Sequence, residues 1–192
     1  MHYFDGPGRA EPIRVAFRMG NIPFEDVRIP RAEWPQKKAT FPFGTVPVLE
    51  VNGKTLGNSN SILMYVGKLV GLLPDDVFQV AKVDEIMSVV EDFASASFPA
   101  LRTASEEDKP KVMEDILKNK VPHYFGLLEK TATANGGAFA VGDKLTVADL
   151  KIWSLMLNLK MLTQDPQSII DTVPKLSAIN KAVQEKVDAL PK

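Results

Sequence analysis

The stretch "FGTVPVLEVNGKTLGNSNSI", residues 43–62, places a proline where a buried strand ought to begin. Pro47 precedes Val48, Leu49 and Val51, yet proline cannot donate to a sheet ladder and is normally kept off central strands. Two readings are open. Pro47 marks a sheet edge, or it is a cis-proline whose "TVP" turn aims the backbone N–H and C=O of Val46 at a ligand. On the second reading an extended peptide pairs with that backbone as an added strand. Downstream, Asn52-Gly53 is a strong hairpin signal joining strands over 46–51 and 54–56. A helix over 59–70 follows, with Ile62, Leu63, Val66 and Val70 on a common side. Ser59 opens it, and a hydroxyl beside free N–H groups at a helix start is a natural carboxylate site. Taken together, these features describe a receptor for a short peptide with an anionic end.

Toward the N-terminus, "HYF" (2–4) reads as a short strand ending at the turn signal "DGPG". A helix over 11–19 follows, with Pro12 in its first turn and Gly20 as its C-terminal stop. A second strand is expected over 24–29 and a loose helical segment over 34–40. The resulting order, βαβαββα, with two parallel strands joined through a helix and then an antiparallel hairpin, describes an α/β sheet of thioredoxin type.

Beyond this the texture changes once. Residues 1–71 form the α/β domain, 72–76 a linker and 77–192 a domain that is helical almost throughout. Long helices are expected over 77–104, 107–133, 147–160 and 174–187, the second kinked at Pro122. In "LTVADL", Thr146 caps a helix and Asp149 reaches back to it, with Leu145 and Leu150 placed for a hydrophobic staple.

Composition narrows the function classes. The 192 residues are 45% hydrophobic and 24% charged, enough to bury a substantial core. Residues 1–73 carry nine Lys/Arg against six Asp/Glu, a balance of +3; the remainder carries fourteen against eighteen, a balance of -4. Neither half has the dense basic patch of a nucleic-acid surface, so no nucleic-acid partner is expected. The chain has no cysteine, which excludes disulfides and protein-thiol chemistry. His2 and His123 lie far apart in sequence, so no metal site is expected. No stretch approaches the roughly 20 apolar residues of a membrane span and no secretory signal is visible, which makes the expected location cytoplasmic.

The segments "YFDGPGRAEPIR", "AEWPQKKATFPFGTVPVLEV" and "SNSI" resemble a glutathione transferase, and the first of them most resembles the sigma class. The resemblance extends over nearly the whole chain, with its most specific motifs in residues 3–62 and a weaker match in "LTVAD". It implies a thioredoxin-like domain followed by an all-α domain. It also implies conjugation of glutathione to small hydrophobic electrophiles in a cleft between the domains, in a homodimer. Glutathione is then a co-substrate, and no cofactor is implied.

Position by position, the resemblance makes Tyr3 the donor to the glutathione sulfur and Arg9 its catalytic support. Trp34 and Lys38 hold the glycine end. Val46, flanked by Thr45 and Pro47, pairs with the cysteinyl backbone. Asn58 and Ser59 bind the γ-glutamyl end, with Ser59 at the γ-glutamyl carboxylate. Asp92, with Glu91 beside it, reaches the γ-glutamyl amine across the dimer interface.

Three departures qualify the resemblance. Asn58 stands where the family usually has Gln, so its contact is expected to be shorter or water-mediated. "DGPG" is a leaner loop than usual. The chain stops at "ALPK", where the family continues into a last helix, so an open pocket taking bulky ligands weakly is expected. Phe98, Leu101 and Arg102 are positional candidates for its lining. Two alternatives stand beside transfer: a glutathione-dependent isomerase of the prostaglandin D synthase or maleylacetoacetate kind, and a non-catalytic structural or ligand-carrier protein.

Overall fold

The computed structural model describes residues 1–191. Lys192, the last residue of the expected helical domain, lies outside them. The chain divides into two compact units, one formed by residues 1–73 together with the residues from Val187 on, the other by residues 74–186.

The first unit is built on β1 (His2–Phe4), α1 (Glu11–Met19), β2 (Val27–Ile29), α2 (Trp34–Lys37), β3 (Val48–Val51), β4 (Lys54–Gly57) and α3 (Ser59–Leu69). The strands lie in the order β2-β1-β3-β4. β1 runs parallel to β2 across α1, whereas β3 is antiparallel to both β1 and β4. This is the thioredoxin-like arrangement. Ile13, Val15, Ala16 and Phe17 of α1 and Ile62, Leu63 and Val66 of α3 are buried with Ile29, Val48 and Leu49 of the strands. Burial of such side chains stabilises by roughly 1.5–3 kcal/mol each.

Two local expectations are corrected here, and a third, Gly20 as the stop of α1, is met. The second strand is shorter than 24–29, because Phe24 leaves the ladder to stack on Phe17 at 4.5 Å. β3 begins at Val48, not Val46, and the Val46–Pro47 peptide is cis. Gly20 ends α1 without adopting a left-handed backbone: its φ is -84°, and Asn21 takes the positive value, 50°. Gly20 instead supplies room, since a Cβ there would lie 2.7 Å from Val70 Cβ.

The second unit contains α4 (Val77–Thr103), α5 (Lys109–Asp115), α6 (Val121–Ala134), α7 (Val147–Leu157), α8 (Gln167–Ile170) and most of α9 (Pro174–Asp188). Asp76 caps α4 by accepting the Gln79 N–H at 2.8 Å. The single helix expected over 107–133 is resolved into α5, a π-helical turn at Ile116–Lys120, and α6. Pro122, in the first turn of α6, has no N–H to continue the ladder, and the wider turn precedes it. α7 gives way at Asn158 to a 3-10 turn ending at Met161. α8 was not anticipated; it spans only four residues after Pro166.

The core of this unit centres on Phe93, which meets Phe125, Tyr124 and Phe98 edge-on at 5.6, 5.9 and 6.0 Å. α7 is buried from Val147 to Met156, as its nearly continuous apolar sequence requires. Asp149 lies inside it, fully buried. One carboxylate oxygen accepts the Ala140 N–H at 2.7 Å; the other accepts the Thr146 N–H at 2.7 Å and the Thr146 hydroxyl at 2.9 Å. Burial pushes the Asp149 carboxyl above the usual range, and these hydrogen bonds draw it part of the way back. Among the described residues, no helix is long and apolar enough to cross a membrane, and no group of three His, Asp or Glu is placed to hold a metal ion.

Asp149→Ala removes the acceptor of three buried donors and is expected to cost about 2–4 kcal/mol in urea denaturation at neutral pH. The sign of its pH dependence follows from the raised folded-state pKa. Such a group contributes most below its unfolded value, and that contribution is lost as pH rises through the folded value. The difference between wild type and variant should therefore widen as pH falls from 7 toward about 4. A difference that narrows over that range contradicts the assignment.

Candidate functional site

The sheet register gathers the candidate residues of the first unit. His2 pairs with Val48, and Val48 pairs with Gly57 on its other side. Continuing both antiparallel registers by one residue sets Tyr3 opposite Pro47, and Pro47 opposite Asn58. The Tyr3 end of β1, the "TVP" turn and the start of α3 therefore meet at one end of three adjacent strands.

Tyr3 is half-buried, and its hydroxyl accepts the backbone N–H of Arg9 at 3.0 Å. Arg9 lies in a 3-10 turn, Gly8–Ala10, that leads into α1. Gly8 is required at this approach: its φ is 43°, and an added Cβ would collide with the Tyr3 hydroxyl and stand 3.1 Å from ring carbons. The resemblance had placed the support for Tyr3 in Arg9, and the contact seen is made by its backbone. Arg9 has further interactions of its own.

Trp34 is held on α2 between two rings, edge-on to Phe4 at 5.1 Å and stacked on Phe41 at 6.0 Å. Lys38 is exposed at the start of the 3-10 turn Lys38–Thr40. Its stem lies along Gly44, where a Cβ would sit 3.4 Å from Lys38 Cε. Thr45 is exposed, Val46 is half-buried and outside any strand, and Pro47 is buried. Phe43, 72% exposed, lies across Gly57, where a Cβ would come within 2.9 Å of its ring.

Ser59 is buried as the first residue of α3. Asn58 precedes it with φ 71° and uses its side-chain oxygen to accept the Asn60 N–H at 3.0 Å. That oxygen serves as a helix cap, which asparagine supplies readily because it tolerates this backbone.

Asp92 lies in the second unit, exposed on α4. Its neighbour Glu91 faces Lys151 of α7 at 3.6 Å, and the Lys151 side chain is only 6% exposed. The two adjacent carboxylates thus have different surroundings. Phe98 packs against Phe93, and Arg102 is exposed near the end of α4.

Arg14 was quoted within a motif but given no role by sequence reasoning. It is buried in α1, and its guanidinium reaches the carbonyls of Gly6 and Pro7 and lies 5.7 Å from the centre of the Tyr3 ring. A signal was present: an arginine in "PIRVAF", among residues that pack inward.

The chain is similar to known proteins along nearly its whole length. Residues 1–68 match the model of the glutathione S-transferase N-terminal domain, and residues 91–189 that of a glutathione S-transferase C-terminal domain. Glutathione S-transferase 1 of Ascaris suum is 33% identical over 96% of this chain and 94% of its own length. Hematopoietic prostaglandin D synthase of Homo sapiens is 34% identical over 95% of this chain and 88% of its own. The crystal structure of Na-GST-3 of the hookworm Necator americanus, described as monomeric, superposes with a TM-score of 0.85. It shares 32% identity and covers all of this chain and 96% of its own. With both domain models matched and relatives this similar along nearly their whole lengths, the chain belongs to the glutathione S-transferase family.

Proposed function

We propose that the protein conjugates the thiolate of glutathione to small hydrophobic electrophiles, with the Tyr3 hydroxyl as the donor that stabilises the thiolate. The observation that carries this reading is the Arg9 N–H on the Tyr3 oxygen at 3.0 Å. With an acceptor site of the phenol taken by that N–H, the Tyr3 O–H remains a donor for an incoming sulfur. A free thiol has a pKa near about 8.5 and is mostly protonated at neutral pH, whereas a phenol of pKa about 10 stays protonated. A hydrogen bond to a charged group contributes roughly 1.5–3 kcal/mol, so one such bond lowers the bound thiol by about one to two pKa units.

The rest of the tripeptide follows the same strand ends. Val46, outside the ladder and flanked by Thr45 and Pro47, pairs with the cysteinyl backbone as an added strand. Trp34 and Lys38 take the glycine end, the lysine as counter-charge to its carboxylate. Ser59 and the N-terminus of α3 take the γ-glutamyl carboxylate, a match of anion to helix dipole. Asn58 reaches that end with its amide nitrogen, because its oxygen caps the helix. We place the reaction in the cytosol, where thiols are kept reduced.

The similarity to the human prostaglandin D synthase favours one second reading, a glutathione-dependent isomerase using the same thiolate. Turnover of a chlorodinitrobenzene-type electrophile separates transfer from isomerisation alone and from a non-catalytic carrier.

Tyr3→Phe keeps the ring and removes the donor. It is expected to lower the conjugation rate about ten- to hundred-fold at neutral pH and to raise the spectroscopic pKa of bound glutathione by about one to two units, with affinity nearly unchanged. Higher pH should partly restore the rate. An unaltered rate and thiol pKa would make Tyr3 a packing residue.

A C₂ homodimer, in which the exposed Asp92 of one chain serves the glutathione of the other, completes the proposal. Glu91 is the less suitable partner because it faces Lys151. Sedimentation at micromolar concentration should give a dimer, and Asp92→Asn should raise KM for glutathione about three- to ten-fold while kcat holds. A monomer that binds glutathione tightly removes the cross-subunit role.

A further inference from the structure

The loop between β1 and α1 is tied at its far end, where the Pro7 carbonyl accepts the Glu11 N–H at 3.1 Å. Gly6 and Gly8 adopt φ of 150° and 43°, values that glycine reaches freely and leaves as freely. The same loop nevertheless has to deliver the Arg9 N–H to the Tyr3 oxygen within hydrogen-bond distance. A group from outside the loop adds a restraint at Gly6 and Pro7.

That group is Arg14, 4% exposed within α1. Its Nη1 donates to the Gly6 carbonyl at 2.7 Å and the Pro7 carbonyl at 3.3 Å, and reaches Glu11 Oε2 at 3.0 Å. Its Nε donates to Asp26 Oδ2 at 3.0 Å. Asp26 is shared with Arg28 at 2.7 Å, and Arg28 extends to Asp5 at 3.5 Å. The charges around the guanidinium are thus Glu11 on its own helix, Asp26 and Arg28 from the β2 side, and Asp5 on the loop. Glu11 and Asp26 fix the guanidinium; the guanidinium fixes two successive carbonyls of the loop. The rigid planar fork suits this task, since it holds several acceptors at set angles.

We infer that Arg14 is a positioning residue for Tyr3: by gripping the carbonyls of Gly6 and Pro7 it fixes the loop whose Arg9 N–H orients the Tyr3 hydroxyl. The inference rests on the proposed role of Tyr3 as thiolate donor. A purely structural arginine, pinning α1 to the β2 side through Asp26, is the competing account, and it makes different predictions.

The test is a four-protein cycle of wild type, Tyr3→Phe, Arg14→Met and the double variant. Each is measured for kcat and KM with glutathione and a chlorodinitrobenzene-type electrophile, for the thiolate absorbance of bound glutathione against pH, and for its denaturation midpoint. Arg14→Met should lower kcat about ten-fold, raise the bound-thiol pKa, and leave KM for glutathione within about two-fold. In the Tyr3→Phe background it should change kcat and thiol pKa no further, because the hydroxyl it positions is gone. Should Arg14→Met fail to fold, Arg14→Lys, which keeps the charge but not the fork, is read in its place with the same expectations. Full additivity in the cycle overturns the inference, as does a variant with a lowered midpoint but wild-type kcat and thiol pKa. If Tyr3→Phe alone is without effect, the reading of Tyr3 fails first and takes this inference with it; if Tyr3→Phe is impaired and Arg14→Met is not, only the inference fails.

Discussion

One antiparallel register, His2 against Val48, holds the sheet of the first unit in a single piece. β1 and β2 form a parallel pair, β3 and β4 an antiparallel one, and the edge between β1 and β3 joins them. The β3 side of this edge continues backward into Pro47, which has no N–H to offer. The ladder therefore stops beside Tyr3, in the middle of the sheet, where backbone is ordinarily paired. An interruption at that place is costly if nothing ever pairs with it and useful if a peptide does. Tyr3, the turn 45–47 and the head of α3 all take their places from this one pair of registers.

In each unit a buried charged side chain ties down a loop, and part-buried polar groups join helix to helix. Arg14 holds the carbonyls of Gly6 and Pro7. Asp149 holds the N–H of Ala140 as well as the cap at Thr146. Glu129 of α6 accepts the N–H groups of Lys175 and Leu176 at 2.8 and 3.0 Å, so one helix caps the start of another, and Gln184 accepts the indole N–H of Trp153 at 2.8 Å. Hydrogen bonds of this kind are strong in a low-dielectric interior, and a partner left unpaired there is expensive. Loops held in this way keep their geometry even where their own sequence is permissive.

The parts of the fold that were legible in the sequence are those set by short-range chemistry. The Asn52-Gly53 hairpin, the Thr146–Asp149 box and the limits of α1 follow from neighbours within four residues, and the structure matches them. The cis peptide at Pro47 was one of two open readings, because no local signal separates a cis-proline from a trans one at a sheet edge. What the sequence concealed depended on distant partners. Phe24 leaves its strand for Phe17, and Gly20 is small because Val70 is close. Asn58 is the exception, since its oxygen turns to the N–H of Asn60, two residues on. Within the candidate site the motifs pointed to Tyr3, but the donor to its oxygen is a main-chain group that every residue type carries. Arg14 escaped notice for a related reason: besides Glu11, three residues before it, its partners are backbone carbonyls and Asp26, twelve residues away.

The absence of cysteine bears on the proposed chemistry. A protein thiol beside a bound thiolate could be joined to it as a mixed disulfide by any two-electron oxidant that reached the pair. In a chain with none, the sulfur of glutathione is the sole thiol at the site, and its thiolate is reserved for the acceptor. The strength of the donor then matters in both directions. A cation placed directly on the sulfur would lower its pKa further, but nucleophilicity falls along with pKa, and the most reactive thiol is one whose pKa lies near the ambient pH. One charge-assisted hydrogen bond moves a thiol from about 8.5 to about 7. In the proposed chemistry a phenol, oriented by a neutral backbone N–H, supplies about that much. On this argument the buried charge of Arg14 belongs on the loop, where it can set the geometry of the donor without drawing the thiol past its optimum.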